Sequence, residues 1–233
     1  MTRTAFKSHI ISALLGLLCP IALIAQEHRG HHGKKGQDSA QTANEYMHRS
    51  STGELVTRFD SPERDAYQHP EKVLAWLGDL KGKTIVDIGA GSGYFAFRFA
   101  REGARVIAAD VDDGFQEVIR KRIEQEGLPN IETRKVPYDD PGLASGEADK
   151  VVLVNVYHHI ENREAYFAKV LKGTKPGGEL VIIDFFKVPV PVGPPVDHKI
   201  AMDQVIAELK EAGYRSFSID VNLLPYQYLI RAR

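Results

Sequence analysis

The sequence predicts an α/β chain with a doubly wound sheet, and three observations lead there. Short runs apolar at every residue, such as Val151 to Val154 and Leu180 to Ile183, alternate with segments of helical period, the pattern of parallel strands covered by helices on both faces. The first strand runs directly into a turn of three alternating glycines and then a helix. No internal repeat is present, which excludes solenoids and propellers. With 233 residues, 43% hydrophobic and 26% charged, one globular domain is expected.

Residues 1–25 carry only Arg3 and Lys7 as charges, and the sixteen residues from Ile10 to Ala25 carry none. A basic start, an apolar stretch and a small residue at Ala25 read as an export signal cleaved after Ala25, which implies a periplasmic or secreted protein. The run is shorter than the roughly 20 apolar residues of a bilayer span, and Pro20 interrupts it, so contact with a membrane is expected only if the segment stays uncleaved. Cys19 follows two leucines rather than a small residue, which makes it part of the apolar stretch and not a lipid attachment point. As the single cysteine it excludes an intrachain disulfide and a cysteine-based zinc cluster, and no metal site is expected. Residues 26–58 are polar and glycine-rich and hold His28, His31, His32 and His48, four of the nine histidines; they read as a flexible linker. The folded domain is expected over 59–233.

Its elements follow in order. Ser61 before Pro62 marks a helix start, with apolar Val73, Leu74, Trp76, Leu77 and Leu80 recurring at helical spacing. Thr84 to Ile88 reads as a strand, Tyr94 to Glu102 as a helix, Arg105 to Ala109 as a strand and Phe115 to Glu126 as a helix. Then come strands at Ile131 to Val136 and Lys150 to Asn155, a helix at Arg163 to Leu171 and a strand at Glu179 to Phe186. A Pro-rich stretch from Val188 to Pro195 is either a stiff surface connection or a lid. A helix from His198 to Ala212 and two strands, Ser216 to Val221 and Gln227 to Arg231, complete the order, and the last two can pair antiparallel.

Charge narrows the partner. Thirty Lys and Arg against 31 Asp and Glu leave no excess of positive charge, and loss of the leader lowers the net charge from −1 to −3, so nucleic acid is excluded in favour of a small molecule. The turn Asp87-Ile88-Gly89-Ala90-Gly91-Ser92-Gly93 lets a ligand lie against bare backbone at the carboxyl edge of the sheet. Asp110 ends the next strand 23 residues after Asp87, where a carboxylate accepts hydrogen bonds from ribose hydroxyls. Gly91 to Ala96 also satisfies the dinucleotide pattern, which keeps a nicotinamide-dependent oxidoreductase open. Asp87, two residues before the first glycine, suits a cationic ligand, or the turn that binds it, better than a pyrophosphate.

These residues resemble the first motif of the class I S-adenosylmethionine-dependent methyltransferases, acidic-x-G-x-G-x-G. Val106 to Asp112, Asp149 to His159 and Leu171 to Gly178 are similar to further motifs of that family's small-molecule branch, in the same order. The resemblance covers about Phe59 to Arg233. It implies a Rossmann-like seven-stranded sheet, mostly parallel with one antiparallel strand, and S-adenosylmethionine as cofactor. It further implies that Asp87, Gly89, Ala90, Gly91 and Gly93 approach the methionine part, that Asp110 with Val111 holds the ribose, and that Asn155 borders the cofactor. An acidic residue commonly meets the adenine after the third strand, and Asp139 is the nearest candidate.

Methyl transfer from a sulfonium needs alignment more than acid–base power. The Asn155-Val156-Tyr157-His158-His159 stretch places imidazole and phenol groups after the fourth strand, so His158 and Tyr157 are the candidate catalytic residues. Asp184 is expected to face the same pocket, and Arg64, Tyr67 and Gln68 to cover the cofactor from an N-terminal cap helix. The alternative to an enzyme is a non-catalytic binding module that has kept the fold.

Overall fold

The computed structural model describes residues 42–47 and 49–233. The expected export signal, Cys19 and the first part of the linker, with His28, His31, His32 and His48, lie outside the described residues.

Seven strands form one sheet, β1 (Thr84–Ile88), β2 (Arg105–Asp110), β3 (Ile131–Lys135), β4 (Ala148–Val154), β5 (Thr174–Phe185), β6 (Phe217–Asp220) and β7 (Gln227–Ala232). Their order is β3-β2-β1-β4-β5-β7-β6. Strands β1 to β5 pair in parallel, whereas β7 runs antiparallel to both β5 and β6. The order reverses between β1 and β4, which opens a crevice at the carboxyl ends of those strands.

Alternation along the strands feeds two cores. Ile85, Val106, Val152, Val181 and Leu229 face α4 (Pro70–Leu77), α5 (Ala96–Arg101) and α6 (Asp113–Glu126). Val86, Ile107, Val151, Leu180 and Ile230 face α7 (Arg163–Gly173) and α8 (Met202–Glu211). Each of these side chains is fully buried, worth about 1.5–3 kcal/mol apiece in area removed from water. Among the described residues, no helix is long and apolar enough to cross a membrane.

Three departures from expectation have local causes. The linker expected over 26–58 is helical in its described part, as α1 (Ala43–Met47) and α2 (Thr52–Phe59). Ser51 caps α2 through a reciprocal box with Glu54, and Leu55 is buried. The single helix expected from Ser61 is two, α3 (Pro62–Gln68) and α4, because His69 precedes Pro70 and takes the left-handed conformation at φ 42°. Ser61 makes no side-chain cap there. The helix expected from His198 is interrupted, since Lys199 turns inward and donates to the Val188 carbonyl at 2.8 Å, and α8 starts afresh at Met202.

Candidate functional site

A cavity of about 350 Å³ opens at the carboxyl ends of β1, β2, β4 and β5. Its floor is the glycine turn. Gly89 N–H and Ala90 N–H both donate to the Ala109 carbonyl, which folds the turn back over the end of β2. Gly89 and Gly91 have φ of 69° and 57°, and a Cβ on Gly89 would sit 2.6 Å from a methyl of Val156. Bare backbone therefore faces the cavity at these two positions.

Asp110 holds the turn from the next strand. Its Oδ2 accepts from Gly91 N–H at 2.8 Å and its Oδ1 from Asp112 N–H at 2.9 Å, and with Val111 N–H as a further backbone donor the carboxylate still keeps an acceptor position for a ligand hydroxyl. Burial pushes its carboxyl above the ordinary range, opposed by the Gly91 N–H. Ala90, Val111 and Asn155 also line the cavity. Asp87 does not; it lies buried in β1 and accepts from Ala96 N–H at the start of α5. Burial pushes its carboxyl up to about 7, opposed by the charge of Arg64. Asp87 thus shapes the turn rather than touching what lies in the cavity. Gly93 is likewise outside the lining, and its missing Cβ makes room for the Phe97 ring.

Two expected positions fall elsewhere. Asp139 is not part of the cavity wall; its carbonyl accepts from Lys169 on the outer surface, and Val136, Pro137 and Tyr138 form the wall instead. Tyr157 points away from the cavity. It stacks on Phe167 at 4.9 Å and donates to Glu208 Oε2 at 2.6 Å, so its phenol serves the α7–α8 packing. Burial and the Glu208 carboxylate hold that phenol far above its usual range, which removes it as a proton acceptor.

His158 is the residue brought to the cavity. Its Nδ1 lies 2.9 and 3.0 Å from the two oxygens of Asp184, whose carboxylate also receives the His158 backbone N–H at 3.3 Å. A carboxylate only accepts, so the bond fixes the proton on Nδ1 and leaves the lone pair on Nε2. The ring is packed 4.3 Å from that of His159, whose Nδ1 meets Asn44 of α1 at 3.0 Å.

The roof comes from segments the sequence marked only in part. Arg64 and Tyr67 of α3 line the cavity as expected, joined by Asn44, Met47, Leu55 and Phe59 of α1 and α2. Arg64 lies 3.9 Å over the Tyr94 ring and donates to the Phe59 carbonyl, while its buried Nε has no partner. Burial lowers its pKa, opposed by Tyr67, Tyr94, Asp87 and Asp60. Gln68 stands behind the cavity wall rather than in it. The Ser51-x-x-Glu54 capping signal was available in the sequence and locates α2. Gly193, Pro194 and His198 bring the Pro-rich stretch to the rim, the position a lid requires.

Residues 86–182 match a methyltransferase domain family. The chain is 32% identical to a ubiquinone biosynthesis O-methyltransferase of Acinetobacter baylyi, over 46% of this chain and 47% of the relative. It is 30% identical to a demethylmenaquinone methyltransferase of Clavibacter sepedonicus, over 50% and 46% respectively. The chain therefore spans about half the length of the curated relatives it matches. A crystal structure of an S-adenosylmethionine-dependent methyltransferase from Aquifex aeolicus superposes with a TM-score of 0.72 at 25% identity, covering 78% of this chain and 98% of that one.

Proposed function

We propose, from a core that is an S-adenosylmethionine-dependent methyltransferase domain, that the whole protein methylates a hydroxyl group on an apolar small molecule, with His158 as the base. The observation that carries this reading is the His158–Asp184 pair at the cavity wall.

The residues present fit the cofactor. The backbone of Gly89 and Gly91 lines the cavity, Asp110 keeps an acceptor position for a ribose hydroxyl, and the unpartnered Arg64 Nε suits a carboxylate such as that of the methionine part. When bound, the cofactor supplies an electrophilic methyl group on a sulfonium. His158 Nε2 would take the acceptor's hydroxyl proton, and Asp184 would stabilise the imidazolium that results. Tyr67, Ile160, Phe185 and Pro194 confine the acceptor and exclude water.

Two features support a hydroxyl rather than an amine. The carboxylates of the cavity lining are Asp110 and Asp112, both at the ribose end, so no counter-charge awaits a cationic acceptor among the described residues. The relative named as a ubiquinone biosynthesis O-methyltransferase points the same way. The test is transfer of a radiolabelled methyl group to a panel of ring-hydroxylated apolar compounds and matched amines. Label on the hydroxyl compounds, lost in His158→Asn while S-adenosylhomocysteine still binds, is the expected result; label on the amines alone overturns the acceptor class.

A further inference from the structure

Three amide side chains meet at the back of the cavity. Gln68 ends α3, Asn155 follows β4 and Gln227 begins β7, and both glutamines are fully buried. Gln68 Oε1 accepts from Asn155 Nδ2 at 3.1 Å and from Gln227 Nε2 at 3.2 Å, and Gln227 Nε2 also donates to Asn155 Oδ1. Asn155 is held in the left-handed conformation at φ 60°, with its N–H bonded to the Ile183 carbonyl. Such a backbone costs an asparagine energy and persists only where its surroundings fix it. Asn155 is also the hinge from which Val156, Tyr157 and His158 depart.

Gln68 stands four residues after Arg64, one turn along the same face of α3. Arg64 lines the cavity, and Gln68 grips the hinge of the His158 turn. We propose that Gln68 is a positioning residue which couples the cap to the catalytic turn: α3, seated by a ligand anion at Arg64, sets Asn155 through Gln68 and so orients His158 against Asp184. The inference rests on the methyltransferase reading only for the identity of that anion.

The chemistry of the trio selects the variants. Gln68 spends its oxygen and leaves Nε2 unpartnered, so a carboxyl side chain can replace the amide at this position, whereas a thioether of similar volume cannot. The probe is S-adenosylhomocysteine, added to the full chain as wild type, Gln68→Met, Gln68→Glu and Gln227→Met, each first checked for a cooperative melt. Hydrogen exchange over residues 155–160 and the ring signals of His158 by NMR are the readouts. In wild type, the probe is expected to slow exchange at 155–160 and shift the His158 signals. In Gln68→Met the same amides exchange at least tenfold faster without the probe, and saturating probe no longer protects them; Gln68→Glu restores wild-type behaviour. Gln227→Met, which breaks the bonds of Gln227 to Gln68 and Asn155 but leaves the Gln68–Asn155 bond in place, gives the fast exchange too. Unchanged exchange in both Met variants, or protection by the probe that survives in Gln68→Met, overturns the coupling. Failure of the probe to bind wild type counts against the cofactor reading, and the exchange rates without probe then decide the positioning role alone.

Discussion

Gly89→Ala tests how tightly the glycine turn is built against the turn from Asn155 to His158. At φ 69° an alanine pays about 1–2 kcal/mol for the left-handed backbone. The new Cβ would also lie 2.6 and 2.7 Å from the two Val156 methyls, well inside van der Waals contact. Val156 cannot simply retreat, because Asn155 N–H is tied to Ile183 and His158 N–H to Asp184 on either side of it. Overpacking of this kind adds about 1–3 kcal/mol, so the total is roughly 2–5 kcal/mol. Val156→Ala removes both clashing methyls and leaves the backbone cost in place. The double variant should therefore recover about 1–3 kcal/mol relative to the sum of the singles, read from urea unfolding of all four proteins. A Gly89→Ala protein within 0.5 kcal/mol of wild type, or a cycle with no coupling, refutes the geometry.

Further outcomes follow from other parts of the molecule. Asp184→Asn keeps the fold but reverses the preferred tautomer of His158, so methyl transfer should fall about 10²–10⁴-fold while binding of S-adenosylhomocysteine, measured calorimetrically, is retained. Asp110→Ala should abolish that binding instead, since it removes both the carboxylate proposed for the ribose and the anchor of Gly91. Asp87, raised to about 7 by burial from an unfolded value near 4, binds more protons folded than unfolded, so its contribution is complete below about pH 4 and is lost as pH rises through 7. Asp87→Asn should flatten the decline in stability over that interval, as followed by thermal melts at half-unit steps of pH. Glu179 is buried and receives Lys150, Arg231 and Arg233, and Glu179→Ala, which strands the buried Lys150, should cost about 3–5 kcal/mol in a urea titration. For the leader, we propose cleavage after Ala25; N-terminal sequencing of protein from the exported fraction should begin at Gln26, and a start at Met1 would refute it.

Much of the fold was legible because its signals are local. Strands β1, β2 and β3 match the residues expected of them to within one position, and Thr84 to Ile88, buried throughout, is marked by its β-branched apolar run alone. The floor of the site was legible for the same reason, as glycines and carboxylates at strand ends answer to backbone geometry. What escaped depends on direction or distance. Tyr157 and His158 are neighbours in a single 3₁₀ turn, and composition cannot tell which ring faces α8 and which faces the cavity. Asp139 and Tyr138 pose the same one-residue ambiguity beyond β3. Average polarity across 26–58 masked the Ser51–Glu54 box, and with it Leu55 and Phe59 in the roof. Gln68 and Gln227 are 159 positions apart, and nothing in either neighbourhood signals that they share a hydrogen bond.

The antiparallel strand β7 sits between β5 and β6, not at the margin of the sheet. Until β7 is in place, β5 carries an unpaired outer row of N–H and carbonyl groups beside the apolar Leu180 and Ile182. A slot bordered by apolar residues is a template for any stray strand, including one from another molecule. The slowest and most aggregation-prone moment of folding should therefore be the insertion of Gln227 to Ala232, a long-range closure that arrives after the parallel half has already assembled.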